Sequence, residues 1–84
     1  MDKIRLKIYT PEGSICDKMV SAVTLPGSLG RFTILNNHSP IISALEKGII
    51  RYTSGGVETE LEVSEGFVEG RDNNVDICIE SYIQ

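Results

Sequence analysis

The stretch Lys3-Ile4-Arg5-Leu6-Lys7-Ile8 (KIRLKI) alternates strictly between a cation and a branched apolar side chain. Successive side chains of an extended strand point to opposite faces. In a strand, Ile4, Leu6 and Ile8 would therefore share one face and the three cations the other, whereas a helix would scatter both sets around its axis. The stretch predicts a half-buried β-strand.

The same period of two recurs along the chain. Val57–Val63 alternates, and Gly55-Gly56 before it offers a tight reversal. Gly66–Arg71 and Val75–Glu80 are predicted as the two arms of a hairpin around Asp72-Asn73-Asn74. Shorter extended segments are predicted around Val20, Val23 and Leu25, at Phe32–Leu35, at Pro40–Leu45 and at Ile49–Thr53. Helical periodicity never exceeds about a turn, so the chain is predicted to be an all-β sandwich or barrel built of hairpins.

Composition narrows the function classes. The 84 residues are enough for one small domain, predicted to span residues 1–84, and the net charge of −4 argues against non-specific binding to nucleic acid or an anionic membrane. No apolar run approaches the roughly 18–20 residues of a membrane span, so direct membrane insertion is not expected. Met1-Asp2-Lys3 runs directly into alternating sequence, unlike a secretory signal.

Charged residues are distributed unevenly. Residues 1–51 hold seven basic and four acidic side chains, and residues 52–84 hold one and eight. The carboxylate row Glu58, Glu60 and Glu62 is predicted to be a solvated strand face. The cationic row of the first strand would neutralise it if the two strands were neighbours.

The two cysteines, Cys16 and Cys78, lie 62 positions apart and form no C-x-x-C motif. In a protein without secretory features, such cysteines are usually free and behave as small apolar side chains. We therefore predict two free, mostly buried thiols.

Candidate chemistry is sparse. His38, within Leu35-Asn36-Asn37-His38-Ser39-Pro40 (LNNHSP), is the single histidine, and a catalytic triad needs a base, a nucleophile and an orienting group. One histidine and two distant cysteines do not make a zinc site. Gly27-Ser28-Leu29-Gly30 is predicted to be a loop and fits no phosphate-binding motif. No catalytic residue, metal or cofactor is therefore predicted.

The middle of the chain resembles a known family. Leu25–Leu35 (LPGSLGRFTIL), Asn37–Leu45 (NHSPIISAL) and Lys47–Arg51 (KGIIR) are similar to the epsilon subunit of F-type ATP synthases. The resemblance continues at Gly66–Glu69 (GFVE) and Asn74–Ile77 (NVDI), so it covers nearly the whole chain. It implies a flattened ten-stranded β-sandwich without catalytic residues.

The resemblance also implies partners. An epsilon subunit sits on the rotor stalk, where it contacts the gamma subunit and the polar loops of the c ring and so couples ring rotation to ATP synthesis. That location is peripheral, on the cytoplasmic face of the bacterial plasma membrane. The gamma-facing residues would be His38, Ser39, Ile41 and Ser43, and the ring-facing residues Ser28, Leu29, Gly30 and Arg31. His38 would be a polar contact that fixes the register, or would merely close the turn before Pro40.

Three departures from the family pattern stand out. Asn36-Asn37 replaces a Pro-Gly pair, and Asn tolerates left-handed backbone. Arg31 occupies a position that is often acidic in the family. The two-helix C-terminal domain of many epsilon subunits has no counterpart in these 84 residues, so we expect neither ATP binding nor inhibition through that domain.

Two other classes of function remain open at this stage. A free-standing β-sandwich module for a sugar or peptide would need an aromatic platform, and the chain has three tyrosines, two phenylalanines and no tryptophan. A small hydrolase built on His38 would need partners that the sequence does not supply.

Overall fold

The computed structural model describes residues 1–83, and every regular element among them is a β-strand. The ten strands are β1 (Ile4–Thr10), β2 (Gly13–Val20), β3 (Ala22–Gly27), β4 (Gly30–Leu35), β5 (Ile41–Leu45), β6 (Gly48–Ser54), β7 (Val57–Val63), β8 (Gly66–Arg71), β9 (Asn74–Ile79) and β10 (Tyr82–Ile83). The predicted all-β, ten-stranded architecture is confirmed.

The strands form one sheet that curls into a half-barrel. Their order is β10-β7-β6-β3-β5-β8-β9-β1-β2, and β4 pairs with β3 alone. All neighbours are antiparallel except β1 and β9, which run parallel with Arg5–Tyr9 opposite Asn74–Cys78. This parallel pair joins the first strand to the ninth, a connection that a succession of hairpins does not provide.

The core follows from the alternation of apolar residues. Ile4, Leu6 and Ile8 of β1 are fully buried, as the alternation of this strand predicted. Fully burying such a side chain contributes about 1.5–3 kcal/mol. The rest of the buried set is likewise dominated by aliphatic side chains, namely Val20, Val23, Leu25, Ile34, Leu45, Ile50, Leu61, Val63, Val68, Val75, Ile77 and Ile79, joined by Tyr52.

Two hairpin turns have the backbone that their residue types predict. Gly55 and Gly56 take φ values of 58° and 77°. Asp72 and Asn73 take 52° and 59°, in the left-handed region that Asn and Asp tolerate best among non-glycine residues. The predicted reversal before β7 and the β8–β9 hairpin are confirmed.

Strand β2 was not predicted. Gly13–Val20 lacks a period of two, because most of its side chains are exposed on this edge strand. The single extended segment predicted around Val20, Val23 and Leu25 is in fact the end of β2 and the whole of β3, separated at Ser21.

The cationic row of β1 and the carboxylate row of β7 are not on neighbouring strands, so they do not neutralise each other. Strand β1 lies between β2 and β9 and is not a neighbour of β7. Arg5 instead forms a bidentate ion pair with Asp17 of β2, in which Nε and Nη2 donate to the two carboxylate oxygens at 3.1 and 3.0 Å. This ion pair lowers the pKa of the Asp17 carboxyl. The carboxylates of β7 face Arg51 of β6, which lies 2.8 Å from Glu60 and 3.8 Å from Glu58.

The cysteines are free, as predicted, but they differ in exposure. Cys16 is half-buried, and burial raises the pKa of its thiol. Cys78 is exposed, so the prediction of two mostly buried thiols is wrong for this residue. It projects outward because it alternates with the buried Ile77 and Ile79.

Candidate interaction surfaces

The turn before β5 is held to the β8–β9 turn. Asn37 has a left-handed φ of 63°, and its backbone N–H donates to Oδ1 of Asn73 at 2.8 Å. The prediction that Asn can adopt the left-handed backbone required here is confirmed. The predicted contact residues His38 and Ser39 therefore start from an anchored backbone.

His38 is tied to its own turn. Its Nδ1 lies 2.9 Å from the carbonyl oxygen of Ser39, which can only accept, so Nδ1 carries the proton. The ring packs over Gly70, where an added Cβ would lie 3.0 Å from Cε1. Nε2 is buried without a hydrogen-bond partner among the described residues. The ring therefore contacts a backbone carbonyl, and no hydroxyl or thiol nucleophile is hydrogen-bonded to it within residues 1–83.

The predicted contact residues of β5 and its exposed apolar residues lie on opposite faces of the strand. Ile41 is half-buried and packs against the core, and the Ser43 hydroxyl donates to the Ala44 carbonyl at 3.0 Å. The alternate residues, Ile42 and Ala44, are exposed, with 79% of Ile42 accessible. Ile42 was not singled out from the sequence, although the pair Ile41-Ile42 signals that one of the two must face outward.

One edge of β5 is open. Its other edge pairs with β8 along all five residues, whereas the open edge meets β3 only where Leu45 faces Gly27. Ser28 donates to the Ala44 carbonyl at 3.1 Å beside that point. Within the described chain, the stretch 41–43 has no strand partner on this edge. A partner that approaches this edge can touch both sides of β5.

The predicted ring-facing residues form the β3–β4 turn and its exit. Leu29 at the tip is fully exposed, at 102%. Arg31 is also exposed and pairs across the hairpin with Pro26, whose carbonyl accepts from the Glu46 N–H at 2.8 Å. This turn adjoins the C-terminal end of β5, whereas His38 precedes its N-terminal end. His38 and the turn therefore lie at opposite ends of β5, and Ser43 lies next to Ala44, whose carbonyl accepts from Ser28.

An apolar groove lies on the outer face of four strands. The cross-strand row Ala44, Phe67, Cys78 and Tyr9 runs over β5, β8, β9 and β1. Phe67 is 65% exposed, and the concavity over this row has a volume of about 570 Å³. Sequence reasoning missed the groove because its residues are far apart along the chain. The adjacent apolar pair Phe67-Val68 was the available signal.

The described residues contain neither a metal-ligand cluster nor a membrane-spanning helix. Within residues 1–83, no three or more His, Cys, Asp or Glu side chains converge on a point where they could hold a metal ion. The same residues contain no helix of the length and apolarity needed to cross a bilayer.

Comparison with known proteins identifies the fold family. The family of the ATP synthase Delta/Epsilon chain beta-sandwich domain matches residues 3–84. The ATP synthase epsilon chain of Desulfitobacterium hafniense (strain DSM 10664 / DCB-2) is 42% identical over 76 residues, which are 90% of this chain and 58% of the relative. The epsilon chain of Campylobacter concisus (strain 13826) is 54% identical over 50 residues, 60% of this chain and 39% of the relative.

Solved structures share the fold. A chain in the cryo-EM structure of Euglena gracilis mitochondrial ATP synthase (OSCP/F1/c-ring, rotational state 1) superposes with a TM-score of 0.90 and 24% identity, covering 99% of this chain and 54% of that chain. A chain in the central stalk/c-ring structure from Tetrahymena thermophila gives 0.82 and 17% identity, covering 98% and 66%.

The two relatives are longer than this chain, and the matched part covers 39% and 58% of their length. The family match itself covers all but the first two residues. The resemblance seen in the sequence is thus confirmed, and the chain belongs to the family of ATP synthase delta/epsilon chain β-sandwich domains.

Proposed function

We propose that this chain is the epsilon-type subunit of the rotor stalk of an F-type ATP synthase. In this role it joins the gamma subunit to the c ring and transmits rotation, without catalytic residues or a cofactor of its own. It belongs to a membrane-bound complex and would sit at the cytoplasmic face of the bacterial plasma membrane without inserting into it. The family match and the epsilon-chain relatives support this role.

The open edge of β5 is the observation that carries the proposal for gamma. Ile42 exposes 79% of its surface on one side of β5, and Ile41 and Ser43 lie half-buried on the other. His38 and Ser39 continue this surface at the N-terminal end of the strand. Apolar side chains at the centre of a patch with polar groups at its rim suit a protein interface.

The β3–β4 turn supports the second contact. This turn, residues 28–31, lies at the other end of β5 from His38, so a gamma contact at His38 would leave the turn open to the ring loops. Leu29 would insert among the ring loops, since nothing in residues 1–83 covers it. Arg31 would contact acidic or carbonyl groups of those loops.

Binding of gamma to single-site variants tests the proposal. We expect Ile42→Asp to weaken gamma binding about 10- to 100-fold, because it places a charge at the centre of an apolar contact. Val57→Asp is the matched control, since Val57 is 65% exposed on β7, away from β5. Affinity is measured by titration calorimetry with the purified gamma subunit from the same genome, and folding by circular dichroism.

Two results would contradict the proposal. One is the absence of a complex between the wild-type chain and gamma in gel filtration. The other is saturable micromolar binding of ATP to this chain, since we assign it no nucleotide site. His38→Asp, at the far end of the same surface, is expected to weaken gamma binding less than Ile42→Asp does, because the ring is partly covered by its own turn.

A further inference from the structure

The β3–β4 turn is packed against the β5–β6 turn. The Pro26 carbonyl of β3 accepts from the Glu46 N–H at 2.8 Å, and Ser28 donates to the Ala44 carbonyl at 3.1 Å. Gly48, the first residue of β6, lies against the Pro26 ring, since a Cβ added to it would be 2.9 Å from Pro26 Cβ. The two turns therefore form one unit at this end of the sheet.

The two-turn unit carries two exposed cations. Arg31 pairs with Pro26 in the register of β3 and β4, and Lys47 lies in the β5–β6 turn. Neither cation forms an ion pair within residues 1–83, whereas each of the other three arginines has a carboxylate oxygen at 3.9 Å or less. Both charges therefore remain available to a partner, in a chain whose net charge is −4.

The backbone that carries Arg31 is held in place by its neighbours in β4. The Phe32 ring packs against the core and against Gly27, where an added Cβ would lie 2.7 Å from Cε1 of the ring. The hydroxyl groups of Thr33 and Thr24 are hydrogen-bonded at 2.9 Å. This backbone is thus ordered before a partner binds, which lowers the entropy cost of the contact.

Two carboxylates at the same end of the sheet restrict how a charged partner can approach. Glu46 and Glu65 are exposed and flank Leu45 and Gly66, which pair across β5 and β8. A loop that bears carboxylates is attracted by the two cations and repelled by these two groups. The arrangement of charges therefore favours one orientation of an acidic loop.

We propose that the two turns together form the ring contact, in which Arg31 and Lys47 bind Asp or Glu side chains of the c-ring loops. This inference rests on the proposed function and adds to it a second turn and the charge of the loop that fits. An Arg side chain can bind a carboxylate through two parallel hydrogen bonds, whereas Lys acts as a point charge. Arg31 therefore fixes the geometry of the contact, and Lys47 mainly speeds association.

Charge reversal tests the assignment. The complex of this chain with gamma is titrated against c rings purified from the same genome. We expect Arg31→Glu/Lys47→Glu to weaken ring binding about 10- to 100-fold and to flatten its dependence on salt. The control Lys3→Glu/Lys18→Glu changes the net charge equally at exposed sites outside both turns and should bind like wild type. Replacing the acidic loop residues of the ring by Lys should restore binding of the Arg31→Glu/Lys47→Glu chain.

The other outcomes separate this inference from the proposed function. Unchanged ring affinity of Arg31→Glu/Lys47→Glu, with binding lost in Leu29→Asp, overturns the charge assignment and leaves the proposed function standing. Saturable binding of the wild-type chain to phosphatidylglycerol vesicles, lost in the same double variant, would assign the cations to lipid and also overturn it. Failure of the wild-type complex to bind the ring overturns both.

Discussion

Strands β1 and β5 are both rich in branched apolar residues, yet they use them differently. In β1, Ile4, Leu6 and Ile8 are fully buried, and the strand has a neighbour on each edge. In β5, Ile42 is 79% exposed, and the strand is paired along one edge only, apart from a single contact at Leu45. The same residue types therefore stabilise the fold in one strand and remain available to a partner in the other.

This difference separates two kinds of apolar surface in a small domain. A chain of this length buries only about 60–65% of its unfolded surface, so every core side chain counts for stability. An isoleucine left 79% exposed in such a domain contributes little to folding, and on an open strand edge its side chain is accessible to a partner. The predictions below test this separation, beginning with the largest expected effect.

Truncation of equivalent side chains should separate the two strands most clearly. Leu6→Ala removes a fully buried side chain between β2 and β9 and should lower the free energy of unfolding by about 2–5 kcal/mol. Ile42→Ala should change it by less than about 0.5 kcal/mol. Urea denaturation followed by circular dichroism measures both. If Leu6→Ala does not fold, Ile8→Val should still cost about 0.5–1.5 kcal/mol. Equal effects in β1 and β5 would contradict the separation.

A smaller loss of stability is expected from a substitution at Gly70, which packs against His38 and Ile41. Gly70→Ala would place a methyl group 3.0 Å from Cε1 of His38 and 3.1 Å from Cγ2 of Ile41. Both neighbours are side chains that can shift, so we expect a loss of about 1–2 kcal/mol and displacement of the imidazole. Unfolding in urea and the ring-proton NMR signals of His38 measure the two consequences. An unchanged His38 spectrum would show that the ring does not rest on Gly70.

The smallest effect concerns the solvent face of β1. Arg5 holds the pKa of Asp17 below its usual range, so the pair stabilises the fold above about pH 4, near the unfolded pKa of aspartate. This contribution is lost as the pH falls through the lower folded pKa. Asp17→Asn should therefore be slightly less stable than wild type at pH 7, and the difference in stability should be smaller at pH 2. A gap of the same size at both pH values, measured by urea midpoints, would argue against the pair.

The period of two was enough to predict most of the fold. It located β1, β7 and the β8–β9 hairpin, because each has one buried and one solvated face. It missed β2, an edge strand whose side chains are mostly exposed and so carry no alternation. The parallel pairing of β1 with β9 was equally hidden, because nothing local in either strand specifies a partner about seventy residues away.

The candidate interaction surfaces were predictable only in part. The turns that hold His38 and Leu29 were visible as clusters of turn-forming residues. Their positions at opposite ends of β5 follow from strand pairing. The groove was not visible, since the residues of its floor meet only when four strands align. The sequence also does not show which side of β5 faces outward, so it predicted Ile41 as a contact residue without showing that Ile42 is the more exposed of the pair.

Hydrogen exchange of the full chain with and without gamma tests the central claim most directly. The claim is that the fold is stabilised by its buried strands, whereas the open edge of β5 binds the partner. We predict that saturating gamma slows amide exchange in residues 41–45 and leaves residues 57–63 of β7 unchanged. Slower exchange confined to β7, with β5 exchanging as in the free chain, would contradict the account.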